Sequence, residues 1–460
     1  MSFTSIDFII FFAAVLFVVV LLERFRLMRA KEIVLLIASY FFYCYGDWRF
    51  GFLLLFITVT TYVTARCAHK KACVVVGVIV PLIVLGFFKY FGFFVSSLGG
   101  GELGALCILL PMGISFYAFQ AISYVVDVKR GKIEAEKNFV RLALYISFFP
   151  KLISGPVVRA GDFLPQLKEE RRVTRAGLEA GLQLIVFGLF KKMVLADHMS
   201  VFVDDVFTSP AAYHWSTLLL GMFSYSLLIY FDFSGYSDIA IGCAKCLGYD
   251  FKVNFNLPYI SATVTELWKR WHISLSSWLQ DYLYISLGGN RKGKVRQYLN
   301  LMLTMLLGGL WHGANWTFVA WGGMHGAALC LDKVRPHKWD DCTWFKCIST
   351  ITTFLFVSFA WVFFRADSFD LAWQLIRGIF TGQDGVMQPF VWSFVSIGVL
   401  LIATIVAVIR SKQLGERRIN GFCPTLKLNT VWGMTIFLIA CGLILCLAFS
   451  GEAPFVYGDF

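Results

Sequence analysis

About twelve apolar runs, few of them interrupted by charge, constrain this chain more than any other feature. They fall roughly at residues 7–22, 33–45, 50–65, 72–96, 104–126, 177–195, 215–232, 297–311, 315–331, 347–364, 389–409 and 430–449. A helix that crosses a bilayer needs about 20 mostly apolar residues. In lipid every backbone N–H and C=O must be satisfied within the protein, which leaves helices or closed barrels. Runs of this length predict an all-α polytopic membrane protein with about 11–12 spans. Composition agrees, since only 15% of the residues are charged and 58% are hydrophobic, whereas a soluble domain carries roughly 25% charged residues.

The first run lacks a basic region before it and a small-residue cleavage site after it, so it is expected to remain as the first helix. Most of the 41 Lys and Arg lie in seven loops, at 23–32, 66–71, 127–141, 159–176, 240–298, 331–346 and 409–428. All seven fall on one side of the expected topology. That side is cytoplasmic by the positive-inside rule, with both termini facing out. The formal net charge of +12 therefore reports topology first, and also suits contact with anionic membrane lipids or a phosphate-bearing substrate. Nucleic acid is not an expected partner. The 12 Cys show neither a disulfide framework nor paired zinc clusters, and the lone CxxC, Cys243 to Cys246, reads as structural. No repeat or long linker divides the chain, so residues 1–460 read as a single membrane domain.

Two regions do not read as spans. In "ALYISFFPKLISGPVVRAGDFLPQL" (143–167), Pro150, Gly155 and Pro156 break any helix. Both flanking loops lie on the same side, so the segment should enter the membrane and return. In "LWKRWHISLSSWLQDYLYISLGGNRKGK" (267–294), helical spacing gathers Trp268, His272, Leu275 and Leu279 on one stripe. Arg270, Ser274, Ser277 and Asp281 form the opposite stripe, the pattern of an amphipathic helix at the cytoplasmic interface. His272 reads there either as a buried packing histidine or as a reactive one.

The stretch "GGLWHGANWTFVAWGGMHG" (308–326) places His312 and His325 among glycine, tryptophan and aliphatic residues. Ionisable groups inside spans are costly and mark functional candidates. Gly308, Gly309 and Gly313 allow close approach to His312, and Asn315 offers an amide to a ring nitrogen or a substrate carbonyl. His325 reads as structural. In "YFDFSGYSDIAIG" (230–242), Asp232 and Asp238 cluster with serines at the expected end of a span, suited to ion pairing or to lining a wet pathway. No G-x-S-x-G elbow and no H-E-x-x-H occurs. Gly288 to Lys294 imitates a P-loop, but Val295 stands where Ser or Thr would hold magnesium. Arg291, Lys292 and Lys294 remain candidates to receive the phosphates of a cytoplasmic donor, beside their topological role.

Taken in order, Phe149-Pro150, Ser154-Gly155-Pro156, "DFSGYSDIAIG", "NFNLPY", "LWKRWHISLSSWLQDYLYISLGGNR" and "GGLWHGANWTFVAWGGMHG" resemble the bacterial branch of the membrane-bound O-acyltransferase family. The likeness runs from about residue 30 to 370 and leaves C-terminal helices at about 371–460 matched only in hydropathy. It departs at Leu267, Lys269 and Gln280. The resemblance implies helices around a transmembrane tunnel, re-entrant and interfacial helices, and His312 and His272 as the catalytic pair. It implies Trp268, Trp271, Trp311, Asn315, Asp232 and Asp238 along the tunnel, and Arg270, Lys269 and Arg291 at the donor. The implied reaction moves an acetyl group from cytoplasmic acetyl-CoA, without a metal, towards an extracellular polysaccharide or peptidoglycan. The implied partner is an extracellular acetyltransferase of the SGNH type or another acceptor protein, and the implied location is the bacterial cytoplasmic membrane. D-alanyl transfer to teichoic acid, a non-catalytic transporter and a recruiting subunit remain alternatives.

Overall fold

The computed structural model describes residues 1–97, 109–335, 342–414 and 426–449. The first residues of the expected span 104–126 and parts of the basic loops 331–346 and 409–428 lie outside the described residues. Helices account for each of the twelve expected spans, and no β-strand occurs among the described residues. In chain order they are α1 (Ile6–Arg24), α2 (Met28–Cys44), α3 (Arg49–Arg66), α4 (Lys71–Ser97) and α5 (Ile114–Lys129), followed by the short α6 (Phe139–Ser147), α7 (Phe149–Leu152) and α8 (Ala160–Lys168). Next come α9 (Arg175–Leu189), a π-helical stretch Phe190–Ala196, α10 (Asp197–Thr208), α11 (Trp215–Cys246), α12 (Val264–Leu267) and α13 (Ile273–Trp278). After a second π-helical stretch, Leu279–Tyr284, follow α14 (Lys294–His312), α15 (Trp316–Val334), α16 (Thr343–Arg365), α17 (Phe369–Thr381), α18 (Val391–Gln413) and α19 (Val431–Leu447).

Among the described residues, five helices are long and apolar enough to cross a membrane by themselves: Ile6–Arg24, Lys71–Gly92, Trp215–Cys246, Trp344–Arg365 and Val391–Gln413. The others are shorter or carry polar residues, which a helix can do when its neighbours are protein. α5 shows this, because nearly all of its residues are buried. α11 is the central helix: 83% of its most apolar window is buried, against 17% for α4 and α18.

Small residues let α9 press against α11. A Cβ on Gly188 would lie 2.6 Å from the Gly235 carbonyl, and one on Gly235 would lie 2.8 Å from the Gly188 carbonyl. Gly181 and Gly242 repeat this contact two turns away, each Cβ falling 2.7 Å from the other's carbonyl. Backbones meet where side chains would hold them apart, the packing expected of helices that gain little from hydrophobic burial against each other in lipid.

The segment 143–167 is broken as expected, into α6, α7, an irregular stretch and α8, and it is almost wholly buried. Its freed backbone groups find protein partners, among them the Phe149 N–H on Ser39 Oγ at 3.1 Å and the Val157 N–H on Ser274 Oγ at 3.0 Å.

Two expectations change. The 267–294 segment is not one amphipathic helix: α12 ends at Leu267 and α13 begins at Ile273. Between them His272 adopts φ 40, in the left-handed region, where an L side chain crowds its own backbone. The 230–242 stretch does not end a span. It lies within the 32-residue α11, because its serines and glycines meet protein rather than water.

Gly188→Val should drive side-chain atoms into the Gly235 carbonyl and cost about 1–3 kcal/mol of overpacking strain or more. Thermal unfolding of the purified protein in detergent reads this as a lowered melting temperature. Gly398→Ala, where nothing lies within 4 Å of an added Cβ, should melt as the parent does.

Candidate active site

His272 is held where residues 254–256 meet residues 270–276. The Ile273 N–H donates to the Asn254 carbonyl at 2.9 Å, the Ser276 N–H to the His272 carbonyl at 2.9 Å, and the Asn256 N–H to the Arg270 carbonyl at 2.8 Å. These bonds hold the left-handed residue in place. The side chain is 0% exposed. Its ring lies 4.7 Å from Phe233 of α11 and stacks on Phe116 of α5 at 6.4 Å and on Phe255 at 6.2 Å, centroid to centroid. Burial lowers its pKa to about 3, so the ring is neutral at physiological pH.

His312 is the last residue of α14 and is 2% exposed. Its ring packs 4.8 Å from Trp311, 5.1 Å from Trp321 and 5.1 Å from Phe364. The helix stops here because the chain turns extended at Gly313, where the Phe318 ring occupies the place of a Cβ. A helix end leaves carbonyls without intrahelical partners, and α4 supplies them. Tyr90 Oη donates to the Leu310 carbonyl at 2.9 Å, and Lys89 Nζ donates to the Trp311 carbonyl.

The two histidines, forty positions apart, enter one aromatic cluster. Phe116 touches both the His272 ring and, at 6.1 Å, the Trp311 ring. A second route runs from Trp271 to Trp361 at 5.1 Å, Trp361 to Trp321 at 5.4 Å, and Trp321 to His312. Trp268 joins the cluster against Trp321 at 5.8 Å and His325 at 5.3 Å. His325 is 1% exposed, and neither of its ring nitrogens has a hydrogen-bond partner; the indole N–H groups of Trp268, Trp311 and Trp321 have none either.

Other expected site residues are engaged elsewhere. Asn315 caps α15, accepting from the Thr317 N–H at 3.1 Å and donating to the Asp367 carbonyl at 2.8 Å, so its amide serves the helix start rather than a ring nitrogen or an oxyanion. Asp232 and Asp238 face the π-helical stretch after α9. Lys192 Nζ sits 2.7 Å from both Asp232 and Asp197, and Lys191 pairs with Asp238. The acids thus neutralise lysines inside the bundle. Arg270 is buried, with Nε on Glu266 at 2.9 Å and Nη1 on the Asn256 carbonyl at 3.1 Å, so it braces the His272 loop. Lys269 and Arg291 are exposed.

Sequence reasoning missed Lys89, hidden inside an apolar span, although a lone lysine at that depth was itself the signal. It also missed Asn254, part of the "NFNLPY" motif yet far in sequence from the histidine it touches.

The structure thus encloses two histidines, forty positions apart in the chain, within one aromatic cluster of a helical membrane bundle. The profile of MBOAT, the membrane-bound O-acyltransferase family, matches residues 136–335, a stretch containing both histidines. Over most of its length the chain is 40% identical to a protein of Azotobacter vinelandii named "Probable alginate O-acetylase AlgI", covering 87% of this chain and 83% of that one. It is 35% identical to the peptidoglycan O-acetyltransferase of Helicobacter pylori over 76% of this chain and 74% of that one. With the teichoic acid D-alanyltransferase of Bacillus subtilis it shares 27% identity over 56% of this chain and 69% of the relative. The chain belongs to the membrane-bound O-acyltransferase family and is a multi-pass membrane O-acyltransferase.

Removing Lys192 takes away the buried cation that Asp197 and Asp232 share. Lys192→Met should destabilise the protein by about 3–5 kcal/mol, read as loss of monodisperse protein after extraction and a lower unfolding temperature.

Proposed function

We propose that this enzyme takes an acetyl group from cytoplasmic acetyl-CoA and delivers it across the bacterial cytoplasmic membrane for O-acetylation of an extracellular polysaccharide or peptidoglycan. The observation that carries the reading is the enclosure of His272 and His312 in one aromatic cluster, in a chain whose 40% identity to an alginate O-acetylase spans most of both proteins. The lower identity and narrower coverage of the D-alanyltransferase favour acetyl over D-alanyl.

The chemistry follows from the groups present. His312 is the general base: as the acceptor oxygen attacks the thioester carbonyl, its proton passes to the imidazole. A C–O bond forms, the C–S bond breaks, and the thiolate leaves as the free thiol after taking up a proton. His272 orients the donor or shares in the proton transfer. With Asn315 used as a helix cap, stabilisation of the oxyanion falls to backbone N–H groups at the glycines around His312. Trp268, Trp271 and Trp311 form walls of the tunnel, and exposed Lys269 and Arg291 suit the donor's phosphates. No serine or cysteine nucleophile is required. An extracellular acetyltransferase of the SGNH type, or another acceptor protein, receives the group and selects the polymer.

Mild base releases ester-linked acetate and D-alanine from the cell envelope, and the two are measured in wild type, a deletion strain and His312→Ala at matched protein level. Acetate should fall to background in both mutants while D-alanine stays unchanged. Loss of D-alanine instead would assign the enzyme to teichoic acid. Acetate retained in His312→Ala would remove His312 from the chemistry.

A further inference from the structure

The loop that seats His272 carries a second polar residue. Asn254, 1% exposed, lies in the connection between α11 and α12, and its side-chain oxygen Oδ1 is the meeting point of three contacts. The Ser274 backbone N–H approaches it at 3.1 Å, Ser274 Oγ at 2.8 Å and His272 Nδ1 at 3.3 Å. At the other end of the amide, Nδ2 donates to Ser237 Oγ of α11 at 3.3 Å.

These contacts fix the protons. A backbone N–H can only donate, so the Asn254 atom facing Ser274 must be the carbonyl oxygen rather than the amide nitrogen. Ser274 Oγ accepts the Val157 N–H at 3.0 Å and turns its own proton towards the same oxygen, 2.8 Å away, rather than towards His272 Nδ1 at 3.5 Å. An imidazole nitrogen that meets an oxygen already receiving two donors must itself bring a proton. His272 therefore carries its hydrogen on Nδ1, and the ring lone pair resides on Nε2.

We infer that Asn254 is a positioning residue of the reaction: it holds His272 in the Nδ1–H tautomer and fixes the ring plane, so that His272 enters acyl transfer as a proton acceptor through Nε2. The inference rests on the reading of His272 as a group of the reaction. Ser237 ties the amide to the central helix, and Val157 ties Ser274 to the broken buried segment. The orientation of one imidazole thus depends on three separate parts of the chain. An aliphatic residue at 254 would remove the acceptor and leave the ring free to turn over or to place its lone pair on Nδ1, while an aspartate would keep an acceptor oxygen in place.

The test uses inside-out membrane vesicles that hold the full chain and the cell's own acceptor, with acetyl-CoA supplied outside and thiol release followed against donor concentration. Asn254→Ala should lower kcat about a hundredfold, the scale of loss for a misplaced catalytic group, with KM for acetyl-CoA changed less than about threefold. Asn254→Asp should recover most of that loss. In a His272→Ala background, Asn254→Ala should cause no further fall, because residues acting through one another are not additive. Melting temperature and monodispersity monitor folding, and Ser237→Ala, which loosens the amide without removing its oxygen, should give a smaller fall in kcat in the same direction. Full kcat in well-folded Asn254→Ala overturns the inference, as does a Ser237→Ala or Asn254→Ala effect that persists undiminished in the His272→Ala background. Full activity in His272→Ala alone overturns the reading of His272 itself, a result distinguishable from either.

Discussion

Non-helical backbone at the heart of a membrane protein survives only where other protein groups accept and donate the hydrogen bonds that a helix would have made internally. The two breaks in this chain, at 148–159 and 254–273, meet that requirement together. Val157 is bonded to Ser274, Ser274 to Asn254, and Asn254 to His272 and Ser237. Each irregular segment supplies partners to the other, and α11 anchors both. The left-handed turn at His272 exists because this mutual satisfaction outweighs its strain, of order 1–3 kcal/mol. Without the turn the imidazole would lie along a helix stripe rather than against Phe116, Phe233 and Phe255.

Charge inside the bundle is arranged in two ways. Lys191, Lys192, Asp197, Asp232 and Asp238 form ion pairs on the side of α11 facing the first π-helical stretch. The other side of α11 presents Phe233 to His272 and Ser237 to Asn254. One helix thus separates an ion-paired, structural cluster from an aromatic one that holds the two imidazoles. The separation keeps the lysine–carboxylate pairs apart from the two histidine rings.

Much of the fold was legible in the primary structure, and the reason is lipid. Apolar runs at spanning length leave few alternatives to helices, so all twelve expected positions carry them, and Pro150, Gly155 and Pro156 mark a true break. The site was legible only in part. His272 and His312 stand out as polar residues in apolar surroundings, but periodicity misassigned the local structure of His272, since hydrogen bonds from Asn254 override the helical pattern of "LWKRWHISLSSW". Asn315 and Arg270 looked available for chemistry because a sequence displays side chains without their partners, and Asp232 and Asp238 suited ion pairing without showing with which lysines. In the folded protein their polar atoms meet Thr317, Asp367, Glu266, Lys192 and Lys191.

The sequence by itself determined the helical class, the positions of the long helices, the break at 148–159 and the two histidines worth attention. These follow from local composition, through the cost of exposing backbone or charge to hydrocarbon. Only the tertiary structure decided that residues forty positions apart share one aromatic cluster, that the 230–242 acids neutralise lysines, and that Asn254 orients His272. Those facts depend on pairings between segments distant in the chain, where close approach through glycine and the geometry of single hydrogen bonds, rather than hydropathy, set the outcome.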